Sequence, residues 1–318
     1  MLRTLLLREG TQPSWAQDEE LARPPEAGER LWLDVEAPTH EELLLLRERF
    51  DLHPVAIDDC ARIDQRPKLE EYERQLFVVL HRLVPAEGGA VTSLELHAFI
   101  GTDYLITIHD QPMVEVSTAR DRVMNDAKLR ERSLVYVYYL ICERLAHENF
   151  DALDRLVDAI EAIEDSVLKQ EDEDALPELF ATKRSLAATR RLIAPQREVV
   201  ALLLEPGTPF IDERARPYFR RVLDALMRMS EAIDTQREIL SNVLDAHLSL
   251  VSNRTNDIMK SLTLLSAIFL PLGFVTGFFG QNFAHLPFDS AALMWFGLAV
   301  CVLLPVGMLF WFKSRKWL

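Results

Sequence analysis

A stripe of mostly small and polar residues runs along an apolar segment near the C-terminus, at alternating spacings of three and four residues. This 3.5-residue period places its members on one face of a helix, along the seam of a left-handed bundle. Neutral amide and hydroxyl oxygens at such a seam can hydrogen-bond a hydrated cation without trapping it as carboxylates would. We call this set the polar stripe, and its members are Asn256, Met259, Thr263, Ser266, Leu270, Gly273 and Gly277.

Two apolar segments without a charged residue form the C-terminal end of the chain. They cover residues 261–280 and 291–312, and a ten-residue loop, 281–290, joins them. Segments of 20 and 22 residues are long enough to cross a hydrocarbon core of about 30 Å as helices. The sequence therefore predicts a protein of the lipid bilayer with a large soluble part before its two transmembrane helices.

Two arrangements of the polar stripe are open. In the first, its small residues pack against the second span, since small side chains let membrane helices approach and hydroxyls in lipid need partners. In the second, several copies of the stripe surround a central axis and line a pore. Asn256 at the inner end and Asn282 just past the outer end favour the pore, because packing alone does not require amides at these positions.

The basic residues near the spans predict the orientation in the membrane. Arg254 and Lys260 precede the first span, a basic tail at 313–318 follows the second, and the loop between the spans has neither Lys nor Arg. Because positive charges stay on the cytoplasmic side, both termini are expected inside and the loop outside. The apolar run at residues 4–7 is too short for a signal peptide.

The charge is divided unevenly between the two parts. The whole chain has a net charge of −15, and residues 261–318 carry +2. The first 260 residues therefore carry −17. An acidic surface argues against a nucleic-acid partner. It either suits multivalent cations or is a solvated surface that keeps this part soluble. We find no nucleophile–base arrangement and no phosphate-binding loop, so the sequence predicts no enzyme and no cofactor. The three cysteines lie far apart, which predicts a reducing compartment without a disulfide framework.

The soluble part is predicted as an α/β domain over residues 1–130 and a helical part over 131–260. Strands are expected at 30–35, 76–84, 91–100 and 104–108, with a hairpin at 101–103. Thr39 and Glu42 form a capping-box pattern that predicts a helix through Phe50.

Long helices are predicted in the second part. They cover 133–171 and 179–204, the latter broken at Pro195, and a loop follows at 205–217. A further helix runs from about residue 218 into the first span. At 1.5 Å per residue its roughly 60 residues make a rod of about 90 Å, which needs other helices along its length.

Three sequence segments together resemble the CorA superfamily of divalent-cation channels. They are Asn-Asp-Ile-Met-Lys-Ser-Leu-Thr at 256–263, Phe-Leu-Pro-Leu at 269–272 and Thr-Gly-Phe-Phe-Gly-Gln-Asn-Phe at 276–283. The last contains the Gly-x-Asn signature at the outer end of a span. The basic tail and the segment 66–72 resemble the same family, so that the likeness covers nearly the whole chain.

This resemblance implies a homopentamer with a funnel-shaped cytoplasmic domain, in a bacterial-type inner (plasma) membrane. The long helix would line the funnel and continue as the first span around the pore, with the second span outside it. Gly280, Gln281 and Asn282 would form the selectivity filter. Residues at the inner constriction would be Asn256, Met259, Leu262 and Leu270.

The outer loop departs from the magnesium-transporting members of that family. Gln281 replaces the usual Met, and Asp289 is the only carboxylate left in the loop. In the zinc-transporting ZntB branch the middle residue of the signature is usually aliphatic. His285 favours Zn²⁺ because imidazole suits zinc better than magnesium, and His285 and Asp289 are the candidate metal ligands. Arg221 lies where magnesium members carry an acidic sensor, although Asp224 is one turn away.

Two functions from different classes stay open. The first is a channel or transporter for Mg²⁺, with Co²⁺ and Ni²⁺, or for Zn²⁺. The alternative is a membrane-anchored oligomeric scaffold or metal sensor without transport. The sequence leaves the preferred ion, the direction of flux, proton coupling and gating open.

Overall fold

The computed structural model describes residues 2–8, 14–16, 23–62, 64–86, 90–169, 176–281, 290–315 and 317. The chain divides into two compact units, Met1–Leu244 and Asp245–Leu318. The first holds a mixed sheet with helices, and the second holds the apolar helices.

One sheet of seven strands organises the described part of the first unit. Its order is β2-β1-β3-β7-β6-β5-β4, with β3 and β7 parallel and the other neighbours antiparallel. All four predicted strands are confirmed, whereas β1, β2 and β4 were missed. The strands are β1 Leu2–Arg8, β2 Ser14–Ala16, β3 Glu29–Glu36, β4 Lys68–Tyr72, β5 Gln75–Pro85, β6 Val91–Ile100 and β7 Tyr104–His109.

The tight hairpin between β6 and β7 accounts for the glycine at position 101. Gly101 follows β6 directly, and a Cβ added to it would lie 2.4 Å from the Tyr104 ring. A larger residue would force that ring to move, which favours glycine at the first position of the predicted turn at 101–103.

Eight helices are described along the chain. The capping box of α1 is confirmed, since Thr39 Oγ1 accepts from Glu42 N and Glu42 Oε2 accepts from Thr39 N. The helices are α1 His40–Phe50, α2 Pro54–Cys60, α3 Val114–Asn125, α4 Ala127–Arg130, α5 Leu134–Lys169, α6 Leu176–Leu203, α7 Arg216–Gly280 and α8 Ala291–Ser314.

The predicted break at Pro195 is wrong, because α6 continues through it to Leu203. A proline inside a helix costs about 3 kcal/mol, since it removes one hydrogen bond and crowds the preceding turn. Buried residues on both sides of Pro195, among them Ile193 and Val199, hold the helix in the core. Burying a large apolar side chain contributes about 1.5–3 kcal/mol, so a few such contacts offset the cost.

The sheet is covered by helices on both faces, which confirms the α/β prediction. Alternate residues of β3, including Leu31, Leu33 and Val35, pack with Leu46 and Phe50 of α1. On the other face, α5 and α6 lie against β5. Layers of this kind bury both faces of a sheet.

Side-chain amides complete the hydrogen bonding of β5 where its neighbouring strand ends. β4 pairs with β5 only as far as Val79. Beyond it, Asn149 Oδ1 accepts from Leu83 N at 2.6 Å and Asn149 Nδ2 donates to the His81 carbonyl at 2.9 Å. Gln196 Oε1 accepts from His81 N at 3.0 Å. Two buried amides from α5 and α6 therefore replace the missing strand.

A buried polar chain connects the parallel strands β3 and β7. Trp32 Nε1 donates to Thr107 Oγ1 at 3.1 Å, and Thr107 Oγ1 donates to Asp34 Oδ1 at 2.8 Å. His109 Nε2 lies 3.1 Å from Asp34 Oδ1, and His109 Nδ1 lies 2.7 Å from the Gln111 carbonyl. Since both partners of the ring are acceptors, this geometry favours the doubly protonated imidazolium.

We expect the His109–Asp34 pair to stabilise the protein more at pH 6 than at pH 9. Burial lowers the pKa of His109, but the hydrogen bond and charge of Asp34 outweigh burial and leave it above its ordinary value. A raised folded-state pKa gives a contribution that is complete below the unfolded pKa of about 6.5 and is lost as the pH rises through the folded-state value. Thermal unfolding of wild type and His109→Gln should show a Tm difference that narrows as the pH rises. A pH-independent difference would contradict the assignment.

Candidate ion pathway

Two of the described helices, α7 and α8, are long and apolar enough to cross a membrane. In the most apolar 18-residue segment of α7 only 6% of the residues are buried within this chain, and in that of α8 none are. Neither segment is therefore a core helix of a soluble fold. α7 runs without interruption to Gly280, which confirms that the long helix continues into the first apolar segment. α8 begins at Ala291, where the second segment was predicted to begin.

The polar stripe lies on an open face of α7. All seven of its residues are exposed, and Met259 and Leu270 are 60% and 75% exposed. A Cβ added to Gly273 or Gly277 would meet no atom within 4 Å. Thr263 Oγ1 donates to the Met259 carbonyl at 2.8 Å, so this hydroxyl is satisfied within its own helix. The stripe thus presents small groups, a hydroxyl and an amide on a surface that its own subunit leaves uncovered.

The opposite face of α7 is turned toward α8. Its Phe279 ring would lie 3.8 Å from a Cβ added to Gly297 of α8. At about 100° per residue, this face and the stripe are centred roughly 140° apart around the helix. The arrangement in which the stripe packs against the second span therefore disagrees with this structure. The half-buried residues of the covered face are Lys260, Leu264, Ala267, Ile268, Pro271, Leu272, Val275 and Phe279.

Large apolar side chains border the polar stripe on both sides. Leu262 and Phe269 are 63% and 62% exposed on one side, and Phe274 is 73% exposed on the other. Leu262, predicted as a gate residue, therefore lies at the border of the stripe, whereas Met259 and Leu270 lie within it. Apolar borders of this kind suit contact with lipid, while the hydroxyls of the stripe between them need other partners.

The predicted filter is only partly within the described chain. Gly280 is the last residue of α7, and Gln281 N donates to the Phe278 carbonyl at 3.3 Å. Asn282, His285 and Asp289 lie outside the described residues, so their roles stay predictions.

The described part of the chain contains no ready-made metal centre. No group of three or more His, Cys, Asp or Glu side chains there is placed to hold a metal ion. The three histidines of the sheet, His81, His97 and His109, are buried in the first unit, outside the stripe. The chemistry offered along the stripe is therefore that of neutral oxygens and small side chains, which contact a hydrated ion through its water.

The fold and this open stripe define a two-span membrane protein with a large α/β and helical domain before the spans. The family profile described as "CorA-like Mg2+ transporter protein" matches residues 28–314. The cobalt/magnesium transport protein CorA of Thermotoga maritima is 32% identical over 278 residues, 85% of this chain and 78% of that protein. The putative metal ion transporter YfjQ of Bacillus subtilis is 30% identical, covering 90% of this chain and 89% of its own. The chain therefore belongs to the CorA-like Mg²⁺ transporter family.

A solved structure agrees with the fold over the full length. The CorA magnesium transporter of Methanocaldococcus jannaschii superposes with a TM-score of 0.83 at 23% identity, covering 99% of this chain and 98% of that one. The predicted fold and family are confirmed. Because this is a family of transporters, the predictions of divalent-cation transport and of a protein that is not an enzyme are confirmed at the level of the family.

Proposed function

We propose that five copies of this chain form a pore for divalent cations in a bacterial-type inner membrane, with the polar stripe facing the axis. The supporting observation is that the stripe is exposed on the face of α7 turned away from α8. In a monomer this face would put the hydroxyl-bearing residues Thr263 and Ser266 into lipid, whereas around a shared axis they contact water.

The proposed topology places both termini in the cytoplasm. Residues 1–130 and 131–260 form the cytoplasmic domain, 281–290 the external loop and 313–318 the cytoplasmic tail. Supporting this, Arg254 and Lys260 precede the first span, Lys313 and Arg315 follow the second, and the loop has no basic residue. Two charges that cross a 100 mV inside-negative potential gain about 4.6 kcal/mol, so entry proceeds without nucleotide hydrolysis.

Mg²⁺, with Co²⁺ as a surrogate, is the proposed cargo. The relative from Thermotoga maritima is named a cobalt/magnesium transport protein. Neutral oxygens along the stripe suit an ion that gives up its water reluctantly, and they let it leave again. Zn²⁺ is the second candidate because His285 in the loop supplies an imidazole.

Met259 and Leu270 are proposed to close the pore. Each would form a ring of five large apolar side chains around the axis, with Asn256 on the cytoplasmic side. A dry apolar constriction blocks a hydrated divalent ion, so a small rotation of α7 that exposes or hides these side chains suffices to gate the pathway.

We expect Asn282→Ala to change Mg²⁺ flux about tenfold or to alter the order of metal preference, since each subunit loses one amide from the proposed filter. The measurement is influx into proteoliposomes loaded with a divalent-sensitive dye, for Mg²⁺, Co²⁺, Ni²⁺ and Zn²⁺. The matched control is Asn253→Ala, which removes an exposed asparagine of α7 outside the stripe. Equal effects of both variants would contradict the filter assignment. Absence of flux in the wild-type protein would favour the scaffold or sensor.

A further inference from the structure

A large cavity lined by basic residues lies in the first unit and has no part in the proposed pathway. It is an open cavity of about 1040 Å³ between the β5–β6 hairpin, α6 and the part of α7 within the first unit. Five arginines and a single acidic residue, Asp64, line it, although the chain as a whole carries −15. The arginines are Arg66, Arg184, Arg190, Arg191 and Arg237.

The positive charge of this cavity is only partly neutralised. Arg190 Nε donates to Asp234 Oδ1 at 2.9 Å, and Arg237 Nη1 lies 3.5 Å from the same oxygen. The other three arginines, all exposed, have no ion-pair or hydrogen-bond partner among the residues that the structure describes. Like charges held near one another repel, and an anion bound between them removes that repulsion.

One ring nitrogen of a buried imidazole at the wall of the cavity has no hydrogen-bond partner in the described chain. His81 is 2% exposed, and its Nε2 has no hydrogen-bond partner in the described chain. Its Nδ1 lies 3.4 Å from Ser93 Oγ, a residue that also lines the cavity. Burial lowers the pKa of His81 below its ordinary value, which favours the neutral ring, and a neutral imidazole can donate one hydrogen. Buried polar atoms are normally satisfied, so an unsatisfied one at a cavity wall indicates a ligand or water there.

We propose that this cavity binds a small molecule with two or more phosphate groups, of the class of nucleoside triphosphates. Guanidinium groups match phosphate oxygens in a bidentate geometry, and Arg184 and Arg191 of α6 line this cavity together with Arg66. The volume is at the upper end for small-molecule sites and far exceeds a single phosphate. An apolar wall that includes Leu192 and Pro195 suits a base and sugar.

Magnesium should weaken this binding. Mg²⁺ in solution binds the same phosphate oxygens that the arginines would contact and neutralises part of their charge. The site should therefore favour the free triphosphate over its magnesium complex. This inference does not depend on the proposed pore, since binding is measured without transport.

The test is calorimetric titration of the full chain in detergent with ATP, in EDTA and then in excess Mg²⁺. We expect saturable binding in EDTA that weakens at least fivefold with Mg²⁺. The Arg184→Ala/Arg191→Ala double variant should bind ATP at least tenfold more weakly, and Arg66→Ala should also lose affinity. The matched control is Arg155→Ala, an exposed arginine of α5 that does not line the cavity.

Two further titrants separate the possible sources of phosphate. Inorganic phosphate should bind at least tenfold more weakly than ATP, and short-chain phosphatidylglycerol should not compete with ATP. Equal affinity for inorganic phosphate, or competition by the lipid, would overturn the nucleotide assignment. No ATP binding, or binding that all three cavity substitutions leave unchanged, would overturn the site itself. Unchanged gel-filtration profiles and Tm values of the variants exclude misfolding as the cause of lost binding.

Discussion

Gly273→Leu is expected to reduce divalent-cation flux by about 100-fold or more. Gly273 lies in the polar stripe of α7, on the face away from α8, and an added Cβ meets no atom of its own subunit within 4 Å. In a pore of five copies, the substitution adds a ring of five leucine side chains at one level of the axis. Such a ring narrows the pathway and dries it, which stops a hydrated divalent ion. The measurement is dye-reported Mg²⁺ influx into proteoliposomes.

The matched control is Gly307→Leu in α8. Gly307 is also helical and exposed, and a Cβ added there also meets no atom within 4 Å. Both variants gain about 1 kcal/mol of helix propensity, so they differ only in the face that carries the new side chain. Near-normal flux in Gly307→Leu beside a block in Gly273→Leu supports the pore. Similar flux in both variants, with oligomer size unchanged on gel filtration, would place the ion pathway elsewhere.

Asn149→Leu is expected to lower the free energy of unfolding by about 4 kcal/mol. The substitution leaves the Leu83 N–H and the His81 carbonyl without the partners they have at 2.6 and 2.9 Å. Each buried group that loses its partner costs about 1–3 kcal/mol. Leucine is close to asparagine in size, so the loss comes from hydrogen bonding more than from a cavity. Denaturant unfolding of the full chain in detergent, followed by tryptophan fluorescence, measures it.

Asn125→Leu in α3 is the comparison for this variant. Asn125 is exposed and its Nδ2 donates to the Asp121 carbonyl at 2.9 Å on the surface. Water can replace that bond, so the change in stability should stay within about 0.5 kcal/mol. If Asn149→Leu costs less than about 1 kcal/mol, the edge of β5 is not held by this amide.

Loss of the Asn149 hydrogen bonds would affect the proposed cavity as well as the sheet. His81 contributes its backbone to the amide contacts of β5 and its ring to the cavity wall. Weakened ATP binding in Asn149→Leu would therefore be expected from a displaced β5. For that reason the arginine variants, which lie on the surface, are the cleaner test of the ligand.

Local sequence patterns were sufficient to predict the two apolar helices and the polar stripe. The uncharged length of each span and the 3.5-residue spacing of the stripe depend on neighbours within a few turns of one helix. The same holds for the capping box at Thr39, which satisfies backbone groups within its own first turn. These features could be predicted because the residues that determine them are adjacent in sequence.

Contacts between distant residues were decided by the tertiary structure alone. The face of α7 that carries Phe279 is covered because Gly297 leaves room for it, and no spacing within α7 reveals that. Pro195 stays helical because the core holds the helix on either side of it, and β1 is a strand because it pairs with β3. Packing between elements selects among local possibilities that are close in free energy. That selection left the stripe open, and it also brought the arginines of α6 to the cavity beside His81.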